Sequence, residues 1–237
     1  FHLGLGTQIK PHITKRFSME WSKPAARMRE MVEAIRAIWN TWENGEPLNH
    51  RGEFYQHRLM TPFFEPDKAD LEGFGPPKIW LAAVGELMSQ TAGEVFDGFI
   101  CHGFTTEKYL REVTIPNVAK GRERAGKSMD DFMISGPFFV VSGQTDEEID
   151  KAAAATRQQI AFYGSTPAYA KVFELHGWEG LHPELNTLSK KGDWIAMGRL
   201  IDDEVLNTFA VVGEPETIAP ELKRRYGDVV DRISFYA

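Results

Sequence analysis

Short apolar stretches alternate along this chain with longer segments in which apolar residues recur every three or four positions. Alternation of this kind predicts parallel βαβ units, because two parallel strands need a long crossover connection, usually a helix. An open doubly wound sheet and a (β/α) barrel both satisfy the pattern. No internal repeat or linker interrupts it, so we predict a single domain over residues 1–237. The predicted strands are 2–6, 78–83, 98–102, 133–142 and 229–235.

Helix signals accompany the longer segments. The longest helical pattern starts after Ser22, which is a suitable N-cap, and has Pro24 in its first turn. A later helix is predicted to begin at Thr145, because Thr145 and Glu148 have the spacing of a capping box. Pro116 predicts a kink, since proline cannot donate a backbone hydrogen bond. Other helical segments are predicted at about 87–96, at about 106–124, and over much of 166–226 with breaks at glycines 177, 192 and 213.

Residues 46–77 depart from this alternation, being rich in proline, glycine and aromatic residues. We predict that this segment lies outside the regular repeat and contains short strands at Gly52–Tyr55 and Thr61–Phe64. The chain begins at Phe1 without an initiator methionine, and it starts and stops on predicted strands. We therefore expect sequence to be missing at both ends.

Composition narrows the class of protein. The 237 residues are 42% hydrophobic and 26% charged, which is typical of a globular protein. The formal net charge of −7 argues against a nucleic-acid partner and gives no attraction to anionic membranes. No apolar run approaches the roughly 20 residues of a spanning helix. With one cysteine no intrachain disulfide can form, so we predict a reducing, cytoplasmic location.

The first candidate for chemistry is the segment Ala82–Ser89, where a predicted strand passes into a helix. Free backbone N–H groups at a helix N-terminus attract anions. The small residues Ala82, Ala83 and Gly85 would let a phosphate or a ring approach the backbone closely. The alternative is that Gly85 serves only a tight turn.

The second candidate, Gly4–Gln8, also lies at the end of a strand. It offers Gly4-Leu5-Gly6 but lacks a full G-x-G-x-x-G, since Ile9 occupies the last position, and this disfavours a Rossmann dinucleotide site. Thr7 and Gln8 can form hydrogen bonds to the edge of a ring, or they can simply cap the chain.

The third candidate is His102, at the end of the strand 98–102. Histidine titrates near neutrality and can act as an acid or a base, and barrel enzymes place their chemistry at this end of their strands. His102 is thus either a proton-transfer group or part of a pocket wall. Cys101 is interpreted as a core residue, because nothing nearby in the sequence would lower its pKa. No histidine spacing indicates a metal site, and no G-x-S-x-G elbow indicates a serine hydrolase.

Several of these stretches together resemble the luciferase-like monooxygenase family, whose (β/α)8 barrels bind FMN or coenzyme F420. The resemblance is carried by Leu3–Thr7, Arg29–Trp42, Gly52–Tyr55, Pro77–Gly85 and Gly93–Phe99. It covers nearly the whole chain and aligns it with strands four to eight of the barrel. It therefore implies an α/β fold of the TIM-barrel type, truncated here to about five strands.

The resemblance also assigns binding roles. The loop after the strand 78–83 matches the family's phosphate-binding loop, and the segment after the strand 2–6 matches one that lies along the flavin or deazaflavin. The cofactor-binding residues implied are Gly6, Thr7, Gln8, Ala82, Ala83, Val84, Gly85 and Met88.

The resemblance places His102 where relatives have substrate-pocket residues, and we take it as the candidate catalytic residue. His12, which follows the Thr7-Gln8 turn closely, and Phe104 are the candidates for the substrate pocket. Two positions depart from the family's pattern. Glu86 stands where the family often has proline, which puts a negative charge near the expected anion. Ile9 stands where deazaflavin sugar-phosphate dehydrogenases carry an acidic residue, which argues against that activity.

The resemblance implies a coenzyme F420-dependent oxidoreductase that transfers hydride between the deazaflavin and a small organic substrate. The protein would orient the cofactor and exclude water. Two alternatives stay open: an FMN-dependent monooxygenase on the same barrel, and a non-catalytic barrel partner or inactive fragment. We expect no metal, nucleic-acid or membrane partner, and a homodimer is compatible with the sequence.

Overall fold

The structure, a computed structural model, describes residues 1–236 of the chain, and these residues group into two compact units. Unit 1 comprises Phe1–Ala83, Leu87–Phe99 and Val118–Phe132. Unit 2 comprises Val84–Glu86, Ile100–Asn117 and the chain from Met133 onward. Unit 1 contains the first strands and the longest helix, and unit 2 contains most of the remaining helices.

Every strand predicted from the apolar stretches forms, with small shifts at the ends. The structure adds a short hairpin in the excursion and a short strand near the C-terminus. In chain order the strands are β1 (His2–Gly6), β2 (His50–Arg51), β3 (Gln56–His57), β4 (Lys78–Ala82), β5 (Gly98–Ile100), β6 (Met133–Val141), β7 (Ala210–Val212) and β8 (Arg232–Tyr236).

The predicted helical segments also form, and the one over residues 166–226 divides into several short helices at the glycines. In chain order the helices are α1 (Pro24–Asn44), α2 (Lys68–Leu71), α3 (Glu86–Val95), α4 (Glu107–Tyr109), α5 (Ile115–Arg124), α6 (Asp146–Gly164), α7 (Ala170–Glu174), α8 (Leu181–Lys191), α9 (Trp194–Arg199), α10 (Asp203–Phe209) and α11 (Pro215–Tyr226).

In unit 1, β1 and β4 pair in parallel, with Gly6 opposite Ala82 at their carboxyl ends. Asp97 fixes the start of β5 against β4: its backbone N–H donates to the carbonyl of Ile79, and its carboxylate accepts from the Ile79 N–H, both at 2.9 Å. Arg36 of α1 donates to the same carboxylate at 3.2 Å. This contact joins α1 to the residue that precedes β5.

In unit 2, β6 is the central strand. It pairs in parallel with β8, Ser135 opposite Arg232, and with β7, Phe139 opposite Ala210. Gly136 and Phe138–Val141 are buried, as expected for a parallel strand covered on both faces. The hydrophobic core beside it includes Phe104, Phe139, Val141, Ile160, Val172, Phe173, Leu185, Leu206 and Phe209.

The two short strands predicted in the excursion are wrong. Residues Gly52–Tyr55 form the turn between β2 and β3, because the carboxylate of Glu30 accepts hydrogen bonds from the N–H groups of Glu53, Phe54 and Tyr55 at 2.9, 2.7 and 2.6 Å. Those N–H groups are then not available to a strand ladder. The second segment forms a 3-10 turn at Pro62–Phe64, for which a leading proline is well suited.

The start of α1 also differs from the prediction. Lys23 occupies the N-cap position with a φ of 40°, ahead of Pro24. The hydroxyl of Ser22 accepts a hydrogen bond from the Arg27 guanidinium at 2.9 Å and so does not cap the backbone. The Ser22 oxygen is thus the acceptor for Arg27, and the first turn of α1 has no side-chain cap.

Other local predictions are confirmed. The helix predicted around Pro116 is divided: a π-type turn at Leu110–Thr114 precedes α5, in which Pro116 is the second residue. The Thr145 hydroxyl accepts from the Glu148 N–H at 3.2 Å. The Glu148 carboxylate reaches back to the N–H of Gln144 at 2.7 Å, one residue earlier than in the standard capping box.

Edge strands remain in each unit. Among the described residues, β1 pairs with β4 alone and β8 pairs with β6 alone, so neither set of strands closes on itself. Residues Arg232–Phe235 of β8 are exposed on both faces. None of the helices in residues 1–236 combines the length and apolar character that a membrane span requires.

Candidate functional site

The carboxyl ends of β1 and β4, in unit 1, present bare backbone. A Cβ added at Gly6 would lie 3.3 Å from the carbonyl oxygen of Ala82, so the neighbouring strands leave little room for a side chain there. Both Gly6 and Ala82 are exposed, and Ala83 is half-buried. This edge therefore offers backbone and methyl groups to a flat ligand.

The residues that follow β1 are held locally. The Thr7 hydroxyl donates to the carbonyl of Gln8 at 3.1 Å. Gln8 has a φ of 59°, a left-handed conformation that non-glycine residues rarely adopt. Its side chain is exposed, whereas His12 is half-buried at the start of a π-type turn, His12–Arg16. Thr7 and Gln8 thus cap this strand end, which is compatible with either interpretation drawn from the sequence.

In unit 2, the turn Val84–Glu86 leads into α3. Gly85 has a φ of +82°, and no atom lies within 4 Å of the position a Cβ would take. The turn conformation therefore requires glycine, and open space surrounds it. Met88, in the first turn of α3, is half-buried.

The negative charge of Glu86, expected from the sequence to lie near a bound anion, is paired with Lys171. The Lys171 ammonium donates to the Glu86 carboxylate at 2.8 Å, and this hydrogen bond raises the pKa of Lys171. Both side chains are substantially exposed, so the pair contributes little to stability. Its effect is local: the negative charge beside the Gly85 turn is compensated.

The loop after β5 holds His102, which is half-buried and makes hydrogen bonds through both ring nitrogens. The backbone N–H of Phe104 donates to Nδ1 at 3.0 Å. Because a backbone amide can only donate, Nδ1 carries no proton, and the neutral ring is protonated at Nε2. Nε2 lies 3.2 Å from the Tyr169 hydroxyl oxygen. Burial lowers the pKa of His102, which favours the neutral form.

Aromatic rings surround His102 within unit 2. The Tyr169 ring stacks on it and the Tyr163 ring meets it edge-on, both with centroids 4.7 Å away. Phe104 is 1% exposed and packs on Phe209 and Phe173 with centroids 4.6 and 5.3 Å away. The side chain of Phe104 therefore belongs to the core that supports the His102 loop.

Tyr163 uses its hydroxyl differently from Tyr169. Its oxygen lies 2.6 Å from the hydroxyl oxygen of Tyr236, the last described residue of β8. Burial, followed by this hydrogen bond, raises the pKa of Tyr163 to about 12. The Tyr236 ring also lies 3.1 Å from the position of a Cβ on Gly103, so β8 packs on the His102 loop.

One short segment links the two parts of the site in unit 2. The 3-10 turn Pro167–Tyr169 brings Tyr169 to His102, and α7, which follows it directly, brings Lys171 to Glu86. Sequence reasoning missed Tyr163, Tyr169 and Lys171. They fall in or just before a stretch with no regular pattern, 67 residues from His102 in the case of Tyr169.

The structure also shows the surroundings of Cys101 and the arrangement of candidate metal ligands. Cys101 is 4% exposed, and burial raises the pKa of its thiol to about 12, so the thiolate is absent near neutral pH. Within residues 1–236, no group of three or more histidine, cysteine, aspartate or glutamate side chains is arranged to hold a metal ion.

The sequence has recognisable relatives. The sequence model of the luciferase-like monooxygenase family matches residues 1–232. An uncharacterized protein of Mycobacterium tuberculosis (strain ATCC 25618 / H37Rv) is 53% identical over 231 residues, which make up 98% of this chain and 67% of that protein. The 5,10-methylenetetrahydromethanopterin reductase of Archaeoglobus fulgidus is 30% identical over 239 residues, 98% of this chain and 62% of that protein.

Solved structures show the same fold. The coenzyme F420 dependent tetrahydromethanopterin reductase from Methanopyrus kandleri matches with a TM-score of 0.73 at 18% identity, covering 98% of this chain and 67% of that one. The predicted fold class, an α/β barrel type truncated to about five strands, is confirmed. Because the family match covers nearly every residue, the chain belongs to the luciferase-like monooxygenase family.

Proposed function

We propose that this chain forms part of an oxidoreductase that transfers hydride between coenzyme F420, a deazaflavin, and a small organic substrate. The observation that carries the proposal lies in unit 2. The turn Val84–Glu86, whose sequence resembles the family's phosphate-binding loop, and a neutral histidine–tyrosine pair are both contacted by the segment Pro167–Glu174. A cofactor-phosphate turn and a proton-handling group are what hydride transfer to an organic substrate requires of a protein.

The residues fit an anionic, ring-bearing cofactor. Space is open at Gly85, and Lys171 compensates the charge of Glu86. We assign phosphate contacts to Val84, Gly85 and Met88. Contacts to the ring are assigned to Gly6, Thr7, Gln8, Ala82 and Ala83.

The deazaflavin, when bound, supplies the hydride chemistry. The chain orients it and holds a proton at the His102–Tyr169 pair. We place His12 in the substrate pocket. Phe104 is buried and supports the His102 loop. The named relatives favour this reading: one is a reductase, and the solved structure of another is described as coenzyme F420 dependent.

An FMN-dependent monooxygenase is the second candidate, because the family is named for monooxygenases. The glycine turn would serve the phosphate of either cofactor. The two functions differ in the reductant and in the use of oxygen, so the choice of cofactor separates them.

The test is an equilibrium titration of the full-length protein with coenzyme F420 and with FMN, followed by fluorescence. We expect F420 to bind at least roughly tenfold more tightly, a difference of about 1.4 kcal/mol. Equal affinities, or tighter binding of FMN, would move the assignment to the monooxygenase. Binding of neither would favour the non-catalytic alternative.

A further inference from the structure

The hydrogen-bond pattern at His102 limits what its ring can do. The Phe104 N–H occupies Nδ1, and the proton on Nε2 is directed to the Tyr169 oxygen at 3.2 Å. Since the Tyr169 hydroxyl accepts this bond, its own proton is not used in the bond to His102. In the described structure the Tyr169 hydroxyl has no other hydrogen-bond partner, and Tyr169 is half-buried.

We propose that Tyr169 is the proton donor to the substrate, that His102 is a positioning residue that holds it through Nε2–H, and that the substrate is a ketone or aldehyde reduced to an alcohol. This inference rests on the proposed function, because it needs a hydride source. It differs from the sequence-based expectation that His102 itself transfers the proton.

The chemistry balances with the groups present and the proposed cofactor. The carbonyl carbon accepts the hydride, the π pair of the C=O bond moves to oxygen, and that oxygen takes the proton from the Tyr169 hydroxyl. The tyrosinate that remains is stabilised by the hydrogen bond from His102 Nε2–H and recovers a proton from solvent. The reverse sequence oxidises the alcohol.

A phenol suits this substrate class. Burial raises the pKa of Tyr169, so the hydroxyl stays protonated at neutral pH and can serve a strongly basic alkoxide oxygen. Tyr163 is the natural comparison, because it is a tyrosine in contact with the same histidine whose hydroxyl is bonded to Tyr236. It therefore shares the environment of Tyr169, but its hydroxyl is already hydrogen-bonded to another side chain.

The first measurement needs no turnover. In the chain labelled with ¹⁵N-histidine, the His102 signals are assigned by their loss in His102→Asn, and two-dimensional ¹H–¹⁵N spectra reveal which ring nitrogen carries the proton. We expect a neutral ring protonated at Nε2 at pH 7. The Nε2 resonance should shift in Tyr169→Phe and stay in place in Tyr163→Phe. A ring protonated at Nδ1, or an imidazolium at pH 7, would overturn the proposal.

The second measurement follows oxidation of reduced coenzyme F420 with cyclohexanone as the probe. A lost general acid lowers turnover by roughly 10²–10⁴-fold. We expect Tyr169→Phe to show such a loss with unchanged F420 affinity, and Tyr163→Phe to change turnover less than about threefold. Equal losses in both variants would refute the role of Tyr169. If the full-length protein binds no F420, the proposed function fails, while the histidine spectra still decide the Tyr169–His102 arrangement.

Discussion

Glu86 shows how the charge of one residue depends on a distant one. In the sequence it places a carboxylate beside the turn expected to bind phosphate, which would repel the ligand. In the fold, the ammonium group of Lys171, 85 residues further along the chain, lies 2.8 Å from that carboxylate. The negative charge next to Gly85 is thereby compensated.

Removal of Lys171 should therefore weaken cofactor binding through Glu86. We expect Lys171→Met to lower F420 affinity by up to about fivefold, since exposed charges contribute up to about 1 kcal/mol. Adding Glu86→Gln to that variant should restore the affinity, because no unpaired carboxylate remains. Isothermal titration with F420 measures the affinities of the unaltered chain, Lys171→Met and the double variant. A double variant that binds as weakly as the single one would show that Lys171 acts by another route.

Gly85 combines a backbone requirement with a proposed ligand contact, and the two can be separated. A valine at φ +82° is strained and occupies the space where phosphate is expected to approach. Gly177 is the matched control, with a φ of +78° and no atom within 4 Å of its Cβ position. We expect both Gly85→Val and Gly177→Val to lower the thermal midpoint, and only Gly85→Val to lower F420 affinity. Unchanged affinity in folded Gly85→Val would leave Gly85 a turn residue alone.

At the scale of elements, the excursion over residues 46–77 is anchored by one side chain of α1. The Glu30 carboxylate accepts from three consecutive backbone N–H groups, those of Glu53, Phe54 and Tyr55. Burial alone would raise the pKa of Glu30, but these hydrogen bonds together lower it below its usual 4.5. The β2–β3 hairpin is thus attached to α1 by a charge-assisted contact.

Glu30→Gln should release this turn. The amide replaces one acceptor oxygen with a donor that faces the backbone N–H groups, so we expect faster hydrogen exchange at residues 53–55. Glu33→Gln, an exposed position on the same helix, should leave exchange there unchanged.

The pH dependence has a defined sign. A lowered pKa means that the stabilisation is complete above about 4.5 and is lost as the pH falls through the lower value of the folded protein. The difference between the unaltered chain and Glu30→Gln should accordingly be full at pH 7 and shrink in acid. A difference in exchange that grows as the pH falls would contradict the assignment.

The whole molecule carries an exposed parallel strand. Parallel strands are normally buried on both faces, yet Ile233 and Phe235 of β8 are 36% and 64% exposed. Among the described strands β8 pairs with β6 alone, and a strand at the edge of a sheet is a template for pairing with another strand. We therefore expect β8 to be covered by further polypeptide when the protein is functional, either a longer chain or a partner such as a second copy.

This expectation can be tested on the chain alone. The purified 237-residue protein should associate as its concentration rises in sedimentation velocity, and it should bind F420 weakly. Ile233→Thr with Phe235→Thr keeps strand-forming residues and should reduce the association. Phe74→Thr, a change of comparable polarity at an exposed site in the excursion, should have no effect. A monodisperse, cooperatively melting monomer with bound cofactor would refute the expectation.

The strand and helix segments were predictable from the sequence because they depend on short-range properties. Hydrophobic periodicity located β1, β4, β5, β6 and β8 but not the short β7, and the Thr145 cap and the glycine turns follow from local backbone sterics and hydrogen bonding. The family resemblance also pointed to the Gly85 turn and to His102, because both lie at the ends of strands.

The partners of those residues could be seen only in the tertiary structure. Tyr169 meets His102, Lys171 meets Glu86, and Glu30 meets the turn at Phe54, across 67, 85 and 24 residues of chain. No local pattern encodes which distant segments come together, since that depends on the packing of the whole core. The protonated nitrogen of His102, the compensation of Glu86 and the loss of the predicted strand at Gly52–Tyr55 were therefore decided by long-range contacts, whereas the sequence by itself determined the elements that make those contacts.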